Sequence, residues 1–148
     1  MPKDQHPLET MTDPSAIVGE VIAGSGFMVL IGTKVLHAAR GEVSLEVQRD
    51  PSLLQYDGLF LGGVIASLAD RAGASAAAVS KRQGVPILTS ALHITYLSAA
   101  KGSFLRADAT CIKTGSRLRT SRVEVFSDND GKPEVVAVAD VVVSVNTR

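Results

Sequence analysis

One carboxylate stands out by the company it keeps. Asp70 lies in a long run of small residues that follows the pair Gly62-Gly63. On a helix beginning near Gly62, its neighbours three and four positions away are Ala66, Ser67, Gly73 and Ala74, a narrow stripe of small side chains. Arg71, Ser75 and Arg82 fall on a separate line, which is predicted to be the solvated face. Asp70 is therefore predicted to face another protein surface, where a carboxylate can take a proton from a nucleophile. Gly62 adds two properties: a ligand can approach it closely, and N–H groups at a helix start suit a developing oxyanion. Gln55, shortly before, adds an amide that can orient a reacting group.

Other chemistries find less support. His37 and His93 have no second ligand at a recognisable spacing, and the lone Cys111 offers neither a metal cluster nor an internal disulfide, so its expected role is packing. No GxSxG elbow occurs, Ser67 falls inside the helix, and there is no GxGxxG or Walker sequence. Arg106, Lys113, Arg117, Arg119 and Arg122 are the densest basic group. Strand alternation puts Arg117 and Arg119 on one face and Arg122 on the other, so they cannot all engage one ligand.

The elements that position these groups are legible from periodicity. Met1 to about Thr12 is polar and reads as a mobile arm or a contact segment. Asp13-Pro14 caps a short helix through Ile17, Val18, Val21 and Ile22 that stops at Gly24 or Gly26. Phe27–Ala39 and the strictly alternating Glu42–Gln48 are predicted to form a hairpin through Arg40-Gly41. Asp57-Gly58 is a turn, and Gly62–Arg82 is predicted to be one long helix stopped by Gly84 and Pro86, with Lys81 and Arg82 matching its dipole. Ile87–Ser98, Ser103–Thr114, Leu118–Ser127 and Val135–Asn146 then read as strands with antiparallel connections. The economical solution is an α+β fold, with about six antiparallel strands wrapped around one long central helix. The stripe of small residues on that helix suits a second copy of the chain packed beside it.

The 148 residues suit a single domain, and 45% hydrophobic content without tryptophan points to a Val, Ile, Leu and Ala core. Lys plus Arg and Asp plus Glu number 15 each, so no overall charge draws the chain to nucleic acid or an anionic membrane. The best apolar runs, Phe27–Ile31 and Val135–Val145, are too short to span a bilayer as helices, and no leader-like segment opens the sequence. A cytoplasmic location is the expectation.

The stretch Asp57–Arg71, DGLFLGGVIASLADR, and the layout around it resemble the hotdog-fold acyl-CoA thioesterases of the phenylacetic-acid-degradation and hydroxybenzoyl-CoA types. The resemblance extends over most of the chain after about residue 20. In that family a Gln or Asn precedes a His-Gly-Gly segment by six positions, and an Asp or Glu follows the His by nine. Those places here hold Gln55, Leu61-Gly62-Gly63 and Asp70. Leu88–Ala99, LTSALHITYLSA, resembles the strand after the helix and puts Thr89 at a position that holds the nucleophilic water in some members.

The resemblance implies hydrolysis of an acyl-CoA to a carboxylic acid and free CoA. Asp70 would be general base or nucleophile, the Gly62 N–H would polarise the carbonyl, Gln55 would position the reacting group and Thr89 would steady water. It further implies that Leu61, Gly63 and Ala74 line the substrate and that Arg117 and Arg119 lie near CoA phosphates. No cofactor or metal is implied beyond CoA as part of the substrate. The partner implied is a second copy, in a homodimer or dimer of dimers, because glycine and acid come from different subunits. Leu61 replaces the family histidine, which keeps open a non-catalytic acyl-CoA-binding or sensor protein and, further off, a hotdog dehydratase or hydratase.

Overall fold

The computed structural model describes residues 5–146. Helix α1 (Pro14–Ala23) starts where expected: the Asp13 side chain accepts from the Ala16 N–H at 3.2 Å, and Pro14 occupies the first turn. Ile17, Val18 and Ile22 bury its inner face. Of the expected N-terminal arm, residues 1–4 lie outside the described residues. Pro7–Thr10 form one 3-10 turn, and Leu8 and Met11 pack against the core, held by the Gly84 N–H on the Met11 carbonyl. This part of the chain is laid on the body instead of standing off it.

The stretch Phe27–Ala39 is not one strand. Ser25 caps a short helix α2 (Gly26–Leu30), Gly32 turns the chain at φ 76°, and only then does β1 (Lys34–Ala39) begin. A serine cap and a left-handed glycine overrode the uniform apolar composition, which carries no periodicity of its own. The hairpin through Arg40-Gly41 forms as predicted, pairing β1 with β2 (Glu42–Gln48). Val43, Leu45 and Val47 of β2 are fully buried.

Helix α3 (Gly62–Ala78) ends four residues before the predicted Arg82. Its last carbonyls are taken by neighbours: Ala77 O accepts from Ser80 Oγ at 2.7 Å and from Arg119 Nη1 at 2.7 Å. The Gly41 N–H donates to Val79 O. The solvated face expected along Arg71, Ser75 and Arg82 is also corrected: Ser75 is buried, Arg71 is half-buried, and Arg82 lies beyond the helix. From Ala72 to Ala78 every residue is buried, as befits a helix whose polar residues are too few to make a wet side.

Four further strands follow: β3 (Ile87–Tyr96), β4 (Phe104–Thr114), β5 (Leu118–Asn129) and β6 (Lys132–Val145). All pairings are antiparallel, in the order β1-β2-β4-β5-β6-β3. One face of this six-stranded sheet packs on α3, giving the hotdog arrangement. Contact is close because Gly73 lacks a side chain. A Cβ there would meet Val141 Cγ2 at 2.6 Å and Val123 Cγ2 at 3.1 Å. Among the described residues the sheet order leaves β3 as an edge, paired only with β6. Among the described residues no helix is long and apolar enough to cross a membrane.

Candidate active site

Helix α3 presents its two chemical groups at different heights. Asp70 is half-buried near mid-helix, and its Oδ1 accepts from Thr89 Oγ1 at 2.8 Å. Two side chains nineteen positions apart in sequence are thus joined, one from the helix and one from the edge strand. A hydroxyl donating to a carboxylate oxygen fixes the side chain's rotamer. With Oδ1 occupied, Oδ2 is the oxygen left to take a proton.

The second group gathers where α3 begins. Leu61 is the N-cap residue and supplies no side-chain hydrogen bond, so among the described residues the first helical N–H groups at Gly62 and Gly63 are left uncapped. Beside them a cavity of about 380 Å³ is lined by Gln55, Phe60, Gly62, Ile65, Tyr96 and Leu97, among others. Gln55 Nε2 donates to the Phe60 carbonyl at 3.3 Å, which leaves the amide oxygen as a free acceptor. Leu61 is about half exposed.

Tyr96 belongs to this group and escaped the sequence reading. Its hydroxyl donates to Gly62 O at 2.8 Å, and its ring lies against Gly62, where a Cβ would stand 3.4 Å from the ring. Strict alternation along the strand would put residues 89 and 96 on opposite faces. A β-bulge between Thr89 and Ala91 adds one residue, so Thr89 pairs with Val143 and Tyr96 with Ala137, both positions on the helix side. Ser90 sits at the bulge, its Oγ 2.8 Å from Ser144 Oγ on β6.

The structure therefore brings together Gln55, Leu61, Gly62 and Gly63 at one end of α3, and Asp70 with Thr89 further along. It does not bring the two groups to each other. Gly62 and Asp70 stand about 12 Å apart along one helix axis, too far for one carbonyl group to touch both. Ala74, one turn beyond Asp70, is buried and lines a smaller cavity.

The basic group divides sharply. Arg119 is corrected to a role in the fold: it is buried, and besides Ala77 O it donates to Ser80 Oγ at 3.3 Å and to Gly115 O at 3.3 Å. Burial holds its guanidinium below the usual arginine range. It supplies the positive charge at the helix end that was expected of Lys81 and Arg82. Arg106 pairs with Asp108 and lies over the Phe126 ring, and Arg122 pairs with Asp140 on the outer sheet face. Arg117 is exposed just before β5. His37 stands 3.7 Å from Glu42 at the surface, and His93 faces outward opposite Asp140.

A family model described as the thioesterase superfamily matches residues 57–134, which contain Gly62, Asp70, Thr89 and Tyr96. No curated protein matches the chain in sequence. Among solved structures, a thioesterase family protein from Silicibacter pomeroyi superposes with a TM-score of 0.85 at 21% identity, covering 89% of this chain and 97% of its own. A variant of the phenylacetic acid degradation protein PaaI from Thermus thermophilus is 28% identical, with a TM-score of 0.72, over 82% of this chain and all of its own. A thioesterase from Haemophilus influenzae has a TM-score of 0.79 at 17% identity, covering 95% of each chain.

Proposed function

This chain belongs to the thioesterase superfamily, and from that premise we propose that it hydrolyses acyl-CoA thioesters to a carboxylic acid and free CoA. The observation that carries the reading is the Asp70–Thr89 hydrogen bond at 2.8 Å on an exposed strand edge. A carboxylate oriented in this way has one oxygen held and one free for water.

In the proposed reaction Asp70 takes a proton from water as the water oxygen bonds to the thioester carbonyl carbon. The resulting oxyanion accepts from the Gly62 N–H, with the helix dipole behind it. The carbon–sulfur bond then breaks, and the leaving thiolate receives the proton that Asp70 holds. Gln55 steadies the attacking water, whose O–H donates to its free amide oxygen.

The separation of about 12 Å between Gly62 and Asp70 in one chain calls for a second copy. Strand β3 suits that role: it is ten residues long, and Leu88, Leu92 and Tyr96 on it and Leu97 beside it are exposed. An open edge carrying apolar side chains is a surface for pairing. In a two-fold pair, Gly62 of one copy and Asp70 of the other complete each site.

Release of thiol from aryl-, short- and medium-chain acyl-CoAs tests the reading. Asp70→Asn keeps the acceptor for Thr89 but cannot take a proton, and it should lower kcat by roughly 10²-fold or more. Unchanged turnover by this variant removes the mechanism. Acyl-CoA binding without thiol release from the native protein identifies a binding or sensor role, which Leu61 at the uncapped helix start would suit.

A further inference from the structure

One side of α3, formed by Arg71, Ala74, Ser75 and Ala78, closes a cavity of about 160 Å³ against Leu8 and Ile87. Its walls are apolar except at His6, whose Nδ1 accepts from the Leu8 N–H, and at Arg71 and Ser75. Ser75 Oγ and Arg71 Nε are both buried, and neither has a hydrogen-bond partner among the described residues. Ser75 is only 1% exposed. A buried donor left unpaired costs about 1–3 kcal/mol. A helical serine can return its hydroxyl to the carbonyl four residues back, as Ser67 does to Gly63 at 2.7 Å. Ser75 does not.

No described acid answers the Arg71 charge. Asp70 is turned to Thr89, and Glu9, on the segment that closes the cavity, accepts from the His6 backbone N–H. The cavity is thus a small, largely apolar pocket carrying a guanidinium and a hydroxyl, with the His6 imidazole at its wall. It also adjoins the proposed reaction centre. Ala74 lies one turn beyond Asp70, about 5.4 Å along the axis. Ile87 precedes Thr89 by two on the same strand face, about 6.6 Å away.

Resting on the acyl-CoA hydrolase reading above, we propose that this cavity receives the far end of the acyl group, and that this end is a carboxylate. The preferred substrates are then half-thioesters of short dicarboxylic acids. Arginine matches a planar carboxylate through paired N–H donors, and the Ser75 hydroxyl adds a third. A cavity of this size holds about six heavy atoms, enough for a carboxylate and two or three methylenes. That length spans the one turn from the carbonyl carbon attacked by the water at Asp70, so succinyl and glutaryl groups fit.

The test compares kcat/KM for glutaryl-CoA and for 5-methylhexanoyl-CoA, in which an isopropyl end replaces the carboxylate. The native protein should favour glutaryl-CoA, and Arg71→Met should lower the ratio of the two by about 10- to 100-fold. Ser75→Ala, a substitution that suits a helix, should lower it less. Circular dichroism establishes that each variant is folded. Equal ratios in native and Arg71→Met protein overturn the proposal. If neither thioester is cleaved, the hydrolase reading fails separately, and calorimetry with glutarate decides the site. Glutarate bound by native protein and not by Arg71→Met sustains it, and no binding by the native protein overturns it.

Discussion

At the scale of single residues, the hydroxyl of Thr89 does one definable thing: it donates to Asp70 Oδ1. Thr89→Val keeps the β-branched shape and deletes the donor. A hydrogen bond to a charged group is worth about 1.5–3 kcal/mol, so kcat should fall about tenfold or more, while Thr89→Ser stays near native. Steady-state thiol release checks both. The sequence made this pair visible as two family positions, and the structure joined them. Tyr96 stayed hidden because the extra residue at Ser90 inverts the alternation that would have placed it, and a bulge leaves no mark in composition. Arg119 misled for a related reason. Alternation tells which residues share a face but not which face is inside, and an arginine reads as solvent-facing until its donors are seen on helix carbonyls.

At the scale of elements, the strands and the start of α3 followed from periodicity and turn residues, whereas the end of α3 did not. Lys81 and Arg82 looked like the basic last turn, yet Arg119, brought by β5, occupies that place. Tertiary contacts thus decided a boundary that local pattern left open. The short helix α2 was missed because an apolar run lacks a period to read. What fixes α3 on the sheet is Gly73. Gly73→Ala should improve intrinsic helix propensity by about 1 kcal/mol, but it drives a methyl into Val141 and Val123. Overpacking of this kind costs about 1–3 kcal/mol. The net expectation is a loss of stability, read as a lower urea midpoint with unchanged slope. A raised midpoint would mean that the valines give way.

At the scale of the whole molecule, the proposal that the two halves of the site come from different copies can be tested by mixing. Gly62→Pro removes the N–H at the first helical position while keeping a backbone that position accepts. That variant and Asp70→Asn should each be nearly inactive. Mixed, exchanged and allowed to pair at random, they should regain about a quarter of native activity, since half the pairs carry one intact site of two. No recovery after subunit exchange, shown by differently labelled chains, would place the whole site in one copy.

The edge position of β3 carries this further. The same ten residues hold Thr89 against Asp70 and Tyr96 against Gly62, and they also form the rim on which the proposed partner docks. In the proposed pair, catalytic competence would depend on how much of the chain is present as well as on whether it is folded. Dilution would silence well-formed protein, and abundance itself would act as a throttle on turnover.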